Sequence, residues 1–117
     1  MVVSGTKLQF TFASENLREL CEKRAAASEA FGDVLTRELS AHLADMDAAS
    51  AVSDLFELFG AQLINVPPHS LRLTLISGLS VDFCAAHVKV PMDTQGVTDW
   101  TKVTRIKVMN IESANAG

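Results

Sequence analysis

The start of the chain alternates apolar and polar residues. Residues 7–12 place an apolar side chain at every second position among residues that favour strands, and this pattern predicts a half-buried first strand. Ser14 can cap the helix that follows, because its hydroxyl can accept a hydrogen bond from an amide of the first helical turn. The spacing of leucines and small residues then predicts one helix from about Glu15 to Phe31.

A second helix is predicted immediately after the first. Gly32 is a helix stop and Asp33 is a residue type that caps a new helix, so the connection is short and the two helices are expected to form an antiparallel hairpin. The apolar residues of this second helix recur at helical spacing: Leu35, Leu39, Leu43 and Met46. His42 is expected at the edge of the core. A short apolar element follows and ends at Gly60.

The second half of the chain changes from a helical period to a period of two. One side of the next predicted strand carries leucines at alternate positions, namely Leu71, Leu73 and Leu75. The dipeptide Ser77-Gly78 is a turn signal that leads into an alternating segment at residues 79–83. These features together predict a β-hairpin.

The hairpin is followed by a long excursion and a final strand. The excursion covers residues 85–103 and contains Trp100, which is expected to pack it onto the domain. The last strand is predicted over Thr104–Glu112, and residues 113–117 are expected to form a loose tail. The order strand, helix, helix, strand, strand, strand predicts an α+β fold of two layers, with a helical hairpin packed on a mostly antiparallel sheet.

Composition fits one globular domain over residues 1–117. The chain is 48% hydrophobic and 21% charged, which is enough apolar content for one core without metal or disulfides. Cys21 and Cys84 are far apart in sequence and are expected to be reduced thiols of the core. No set of residues has metal-ligand spacing, and no glycine loop for phosphate is present, so neither a metal nor a cofactor is expected.

The first residues also bear on location, and the charges bear on binding partners. Residues 1–12 contain neither the continuous apolar stretch of a secretory signal nor that of a membrane span, so a cytoplasmic protein without a membrane partner is expected. The formal net charge is −4, which argues against a uniformly phosphate-binding surface. Residues 65–117 nevertheless hold five of the ten basic side chains and only four of the fourteen acidic ones, so any polyanion site is expected there, although a preference of helices for Glu and Asp would explain the same imbalance.

Three stretches resemble the plasmid-maintenance killer branch of the RelE/HigB toxin superfamily. Residues 7–22 (KLQFTFASENLRELCE) are similar to the opening strand and first helix of that family. Residues 43–55 (LADMDAASAVSDL) are similar to its second helix and following turn, and residues 99–108 (DWTKVTRIKV) to its last strand. The resemblance implies a RelE-like fold and a toxin that is neutralised by an antitoxin protein encoded beside it.

Many members of this family cut messenger RNA on the ribosome without a metal. Basic and hydrogen-bonding side chains surround the scissile phosphate while a 2′-hydroxyl attacks it. This chain departs from the family pattern in three places. Residues 65–70 (NVPPHS) contain no Lys or Arg, Leu79-Ser80 replaces an aromatic residue followed by Arg, and residues 113–115 (SAN) replace Asp-Tyr-His.

Six residues remain candidates for the site. Those with a proposed catalytic role are His69, Arg72 and His87, because imidazole titrates near neutrality and guanidinium binds phosphate. Those with a proposed role in RNA binding are Lys89, Arg105 and Lys107. Each also has a simpler interpretation as a solvated loop or sheet-surface residue.

Two hypotheses of function therefore stay open. The first is a toxin of a type II toxin-antitoxin system, an endoribonuclease (mRNA interferase) with a divergent site that acts on messenger RNA at the ribosome. The second is a catalytically silent relative that binds an antitoxin-like peptide or forms a homodimer, which exposed sheet edges would suit.

Overall fold

The computed structural model describes residues 8–113, so Lys7 of the predicted first strand and residues 114–117 of the predicted tail lie outside the described residues. The predicted place of Ser113 in the tail is wrong, because Ser113 pairs with Leu79 as part of the last strand. Within that range the chain forms an α+β fold, as expected from the sequence. The elements in chain order are β1 (Gln9–Phe12), α1 (Glu15–Glu22), α2 (Arg24–Phe31), α3 (Asp33–Asp47), α4 (Val52–Phe59), a 3₁₀ turn (Gly60–Gln62), β2 (Leu63–Val66), β3 (Ser70–Thr74), β4 (Leu79–Ala85) and β5 (Arg105–Ser113).

The described strands form one mixed sheet in the order β1-β5-β4-β3-β2. β1 runs parallel to β5, and the other three pairings are antiparallel, so the expectation of a mostly antiparallel sheet is confirmed. A bulge where β4 passes from Asp82 to Phe83 leaves two consecutive residues of β5, Met109 and Asn110, exposed. Because β1 pairs with β5, the first and last of the described strands are neighbours in the sheet.

The helical region differs from the sequence prediction at Lys23. A single helix was predicted over Glu15–Phe31, but Lys23 has an extended backbone (φ −113°, ψ 108°) that separates α1 from α2. The break turns the chain so that α1 lies against β1 and β5 while α2 packs on α3. A helical pattern of apolar residues does not reveal such a break, because each half keeps its own apolar face.

Helix ends explain where the chain turns between helices. Ser14 caps α1 as predicted, since its Oγ accepts a hydrogen bond from the amide of Leu17 at 3.2 Å. Gly32 ends α2 with φ 86°, a backbone conformation that favours glycine. The predicted capping role of Asp33 is wrong: its side chain makes no cap, and it is the first residue of α3, where its charge suits the positive end of the helix dipole.

β2 is an element that the sequence analysis missed. No strand is predicted from the sequence between the helical region and the β-hairpin, but Asn65 and Val66 belong to β2, and Ile64 lies opposite Arg72 of β3. The strand has four residues and ends at Val66, directly before Pro67, so it is too short to show a clear alternation. The loop between β2 and β3 consists only of Pro67, Pro68 and His69.

The core lies between the helices and one face of the sheet. Its fully buried large side chains come from both layers: Phe83, Leu39, Met46, Leu55, Leu71, Leu73, Leu75, Leu79, Ile106, Val52, Val81 and Val103. The predicted inward face of β3 is confirmed, since Leu71 and Leu73 are buried and Arg72 between them is exposed. The opposite face of the sheet, here called the open face, is not covered by any described element.

Two side chains outside the sheet also lie where the sequence predicted them. His42 is half-buried at the core edge, stacked on Phe59 with 5.1 Å between ring centroids. Trp100 packs the excursion against the core beside Phe56, at a centroid distance of 6.5 Å. Among the described helices, none combines the length and apolar character needed to cross a membrane.

Candidate functional site

The open face carries most of the candidate side chains. Alternation along the strands places Arg72 of β3 and Arg105 and Lys107 of β5 on this face, because each flanks or lies between buried residues that point to the core. Ser70, Cys84 and Lys107 form one row across β3, β4 and β5. His69 lies at the same end of the sheet, since its carbonyl accepts the amide of Ala85 at 2.9 Å.

Arg72 is engaged by acidic neighbours on the sheet. Its Nε donates to Oδ1 of Asp82 at 2.7 Å, and its Nη2 donates to Oδ2 of the same carboxylate at 3.2 Å. Nη2 also lies 3.7 Å from Glu112. These contacts raise the pKa of Arg72, chiefly through the hydrogen bond to Asp82. This bidentate pair occupies the Nε and Nη2 edge of the guanidinium, so a phosphate could reach that edge only by displacing the carboxylate.

His69 is held by a buried threonine of the excursion. The Thr98 hydroxyl donates to the carbonyl of Pro68 at 2.7 Å, and His69 Nδ1 lies 2.7 Å from the same hydroxyl oxygen. Because the hydroxyl has one proton and gives it to Pro68, Nδ1 of His69 must be the donor in its contact with Thr98. A neutral His69 therefore has its lone pair on Nε2, the form that can accept a proton.

His87 accepts hydrogen bonds from the backbone, and this arrangement does not suit the catalytic role suggested for it by the sequence. Its Nε2 lies 3.0 Å from the amide of Thr104 and 3.3 Å from the amide of Arg105, and both amides donate to it. The lone pair that a general base needs is therefore occupied by the backbone at the start of β5. His87 joins the two ends of the excursion.

The three candidate RNA-binding residues do not form one cluster on the sheet. Arg105 and Lys107 occupy neighbouring positions of the open face, and within residues 8–113 neither makes an ion pair. Lys89 is an exposed residue of the excursion, outside any strand. The basic character of the open face is therefore confined to the end of the sheet that also carries His69.

A second region of the open face is apolar. Ile64 and Val66 of the edge strand β2 and Met109 of the bulge are exposed, and they line a concavity of about 500 Å³. Arg72 and Asp82 lie in the same concavity as a mutually neutralised pair. We call this surface the apolar concavity. Little in the sequence indicates this surface, because β2 is too short to show an alternating pattern and the bulge that exposes Met109 depends on strand pairing.

A larger groove lies at the other edge of the sheet. It has a volume of about 710 Å³ and runs between β1, α1 and α3; its lining residues are Leu8, Gln9, Phe10, Phe12, Cys21, Glu22, Leu43, Ala44 and Asp47. We call it the β1 groove. Burial, and to a smaller degree the charge of Glu22, raises the pKa of the Cys21 thiol to about 11. Cys21 and Cys84 are both free thiols, as expected. Cys21 packs against the core, but the predicted core position of Cys84 is wrong, because it lies half-buried in the open-face row with Ser70 and Lys107.

Comparison with known proteins does not assign the chain to a family. No protein-family model matches it, and neither the curated proteins nor the solved structures give a significant match. Among residues 8–113 no group of three or more His, Cys, Asp or Glu side chains is placed to hold a metal ion.

Proposed function

We propose that this chain is a protein-binding relative of the RelE/HigB toxins, in which the open face of the sheet holds a protein partner. The partner expected from the family resemblance is an antitoxin-like protein encoded beside the chain. The observation that carries the proposal is the apolar concavity, where Ile64, Val66 and Met109 are 52%, 43% and 44% exposed. Exposed apolar side chains clustered on a sheet edge and face are typical of protein interfaces.

The charges in the concavity support a protein partner over RNA. Arg72 is neutralised by Asp82 within the concavity, and Glu112 adds a further negative charge nearby. A phosphate that approached Arg72 would be repelled by the carboxylates of Asp82 and Glu112, whereas a partner side chain can pack on the paired groups and the surrounding methyl groups.

The experiment compares two substitutions that introduce the same charge. Ile64→Asp places a carboxylate inside the concavity, and Ile76→Asp places one in the exposed turn between β3 and β4. Affinity for the purified product of the neighbouring reading frame would be measured by titration calorimetry. We expect Ile76→Asp to bind like the wild type, and Ile64→Asp to bind at least about tenfold more weakly, because a carboxylate would be desolvated at the interface.

Two results would contradict the proposal. One is equal affinity of all three proteins for the neighbouring product. The other is a wild-type protein that binds neither this product nor a second copy of itself, the latter measured by light scattering. Self-association that Ile64→Asp abolishes would replace the antitoxin-like partner with a homodimer.

The second candidate function is an endoribonuclease that acts on messenger RNA at the ribosome. The specific observation in its favour is His69, whose Nδ1 donates to Thr98 so that Nε2 is left as an acceptor. His69 lies at the end of the sheet that also carries Arg105 and Lys107. Ribosome-dependent cleavage by the purified protein that is lost in His69→Ala would establish this function. Cleavage that His69→Ala leaves intact would exclude His69 as the base.

A further inference from the structure

The outer edge of β1 is free at Phe10 and Phe12 in the described part of the chain, whereas the amide of Leu8, which precedes β1 on the same edge, donates to the carbonyl of Ala49 at 3.0 Å. The amide of Gln9 donates to the carbonyl of Thr104 at 2.8 Å, and the amide of Ala13 donates to that of Val108 at 2.9 Å. Residues 9, 11 and 13 therefore turn their peptide groups toward β5, and the alternation of a strand turns those of Phe10 and Phe12 outward. These outward amides and carbonyls form the hydrogen-bonding edge that an added strand would use.

The β1 groove lies beside this edge and is apolar at its floor. Phe10 and Phe12 are half-buried on the side of β1 that faces the helices, and Leu43 of α3 and Cys21 of α1 line the facing wall. A strand added to β1 would point every second side chain into this space. The groove can therefore accept the apolar side chains of an extended segment while the edge binds its backbone.

The rim of the groove is acidic. Asp47 lies at the last position of α3, where the negative end of the helix dipole adds to its charge, and Glu22 lies at the end of α1. Arg18 partly neutralises Glu22 from 3.4 Å away and covers the ring of Phe12 at 5.0 Å, but the groove-lining residues within 8–113 include no Lys or Arg. A second copy pairing through β1 would bring two acidic rims together, whereas a basic segment would complement them.

We infer that the β1 groove binds an extended segment of a partner protein, which adds to β1 as a strand and places a basic side chain against Asp47. The inference rests on the proposed binding function and adds a second contact surface, on the opposite edge of the sheet from β2. A partner that reached both the apolar concavity and the β1 groove would contact the sheet at both edges.

The test uses synthetic peptides as probes. The first peptide has eight residues of alternating valine and threonine with a lysine at each end. The second has glutamates in place of the lysines and tests the charge preference. The third is the lysine peptide with alternate backbone amides methylated, which prevents strand pairing. Binding would be followed by the NMR signals and the hydrogen-exchange rates of the Phe10 and Phe12 amides. We expect the lysine peptide to slow both exchange rates, the glutamate peptide to bind about fivefold more weakly, and the methylated peptide not to bind.

A pair of variants tests the charge argument. Asp47→Lys reverses the charge at the rim of the β1 groove, while Asp45→Lys makes the same change at an exposed position of α3 that lines a different surface. Asp47→Lys should abolish the preference for the lysine peptide, and Asp45→Lys should keep it. Circular dichroism would verify that both variants are folded.

Three results would overturn the inference. The first is an unchanged amide exchange rate at Phe10 and Phe12 when the lysine peptide is added, and the second is a shift of the NMR signals of Leu43 without slower exchange of these amides. The third is exchange that slows when the protein concentration is raised without any peptide. The second of these results would indicate a helical partner in the groove, and the third a homodimer through β1. If these results occur while Ile64→Asp still weakens binding of the neighbouring product, the proposed function stands and only the β1 contact is wrong.

Discussion

At the scale of single residues, the polar side chains of the open face already have partners. Arg72 holds Asp82, and His87 accepts two backbone amides. His69 donates through Nδ1 to Thr98, so only its Nε2 is left to react with a ligand. These contacts stabilise the sheet surface and the excursion, and they explain why side chains that are suited to catalysis by type need not be catalytic here.

A buried hydroxyl in α3 provides a test of how single polar atoms affect stability. Thr36 is 1% exposed, and its Oγ1 has no hydrogen-bond partner among residues 8–113. Thr36→Val should increase the free energy of unfolding by about 1 kcal/mol, because it removes an unsatisfied buried group without changing side-chain shape or helix propensity much. Urea denaturation measures this change.

The matched control at this position is Thr36→Ser, which keeps the hydroxyl and removes the methyl group. It should lower the free energy of unfolding. A valine variant that is less stable than the wild type would show that the hydroxyl has a partner in solution, such as a buried water.

At the scale of elements, Glu38 ties α3 to the turn between β3 and β4. Its carboxylate accepts the amide of Ile76 at 2.9 Å and the amide of Ser77 at 3.1 Å, and it also accepts the Ser77 hydroxyl. Burial alone would raise the pKa of Glu38, but the hydrogen bonds from Ser77 and Ile76 outweigh it and hold this pKa below its usual value. The helix layer is therefore joined to the end of the hairpin by a charged group.

This contact predicts a pH dependence of stability. Because the pKa of Glu38 is lower in the folded state, its contribution is complete above about pH 4.5 and is lost as the pH falls through the folded value. Glu38→Gln should melt at a lower temperature than the wild type at pH 7, and the difference should shrink below pH 4.5. Thermal melts followed by circular dichroism measure both.

Glu29→Gln, at an exposed position of α2, is the control for the loss of one negative charge. Its melting temperature should stay close to that of the wild type at every pH. A gap between Glu38→Gln and the wild type that stays constant from pH 7 to acidic pH would show that the Glu38 carboxylate does not hold the turn.

Elements with strong local signals could be predicted from the sequence, and those that depend on distant partners could not. The alternating leucines and Ser77-Gly78 specify the β3–β4 hairpin within one short stretch, and Ser14 specifies the start of α1. The break at Lys23 and the short strand β2 leave no comparable pattern. The pairing of Arg72 with Asp82 follows from strand register, so a candidate site listed by residue type could not include it.

At the scale of the whole molecule, the fold leaves two different surfaces for ligands. The helices cover one face of the sheet, and the open face divides into a basic end with Arg105 and Lys107 and an apolar concavity around Ile64. The β1 groove with its acidic rim lies at the other edge. This distribution favours a protein partner that contacts both edges of the sheet, and it leaves RNA only the basic end.

The most direct measurement of the central claim is growth and messenger RNA integrity after induced expression of the chain alone. The account predicts unaffected growth and intact messenger RNA while folded protein accumulates, because under the proposed function the chain binds a protein and does not cut RNA. Growth arrest with ribosome-dependent cleavage that is lost in His69→Ala would contradict it and establish the endoribonuclease instead.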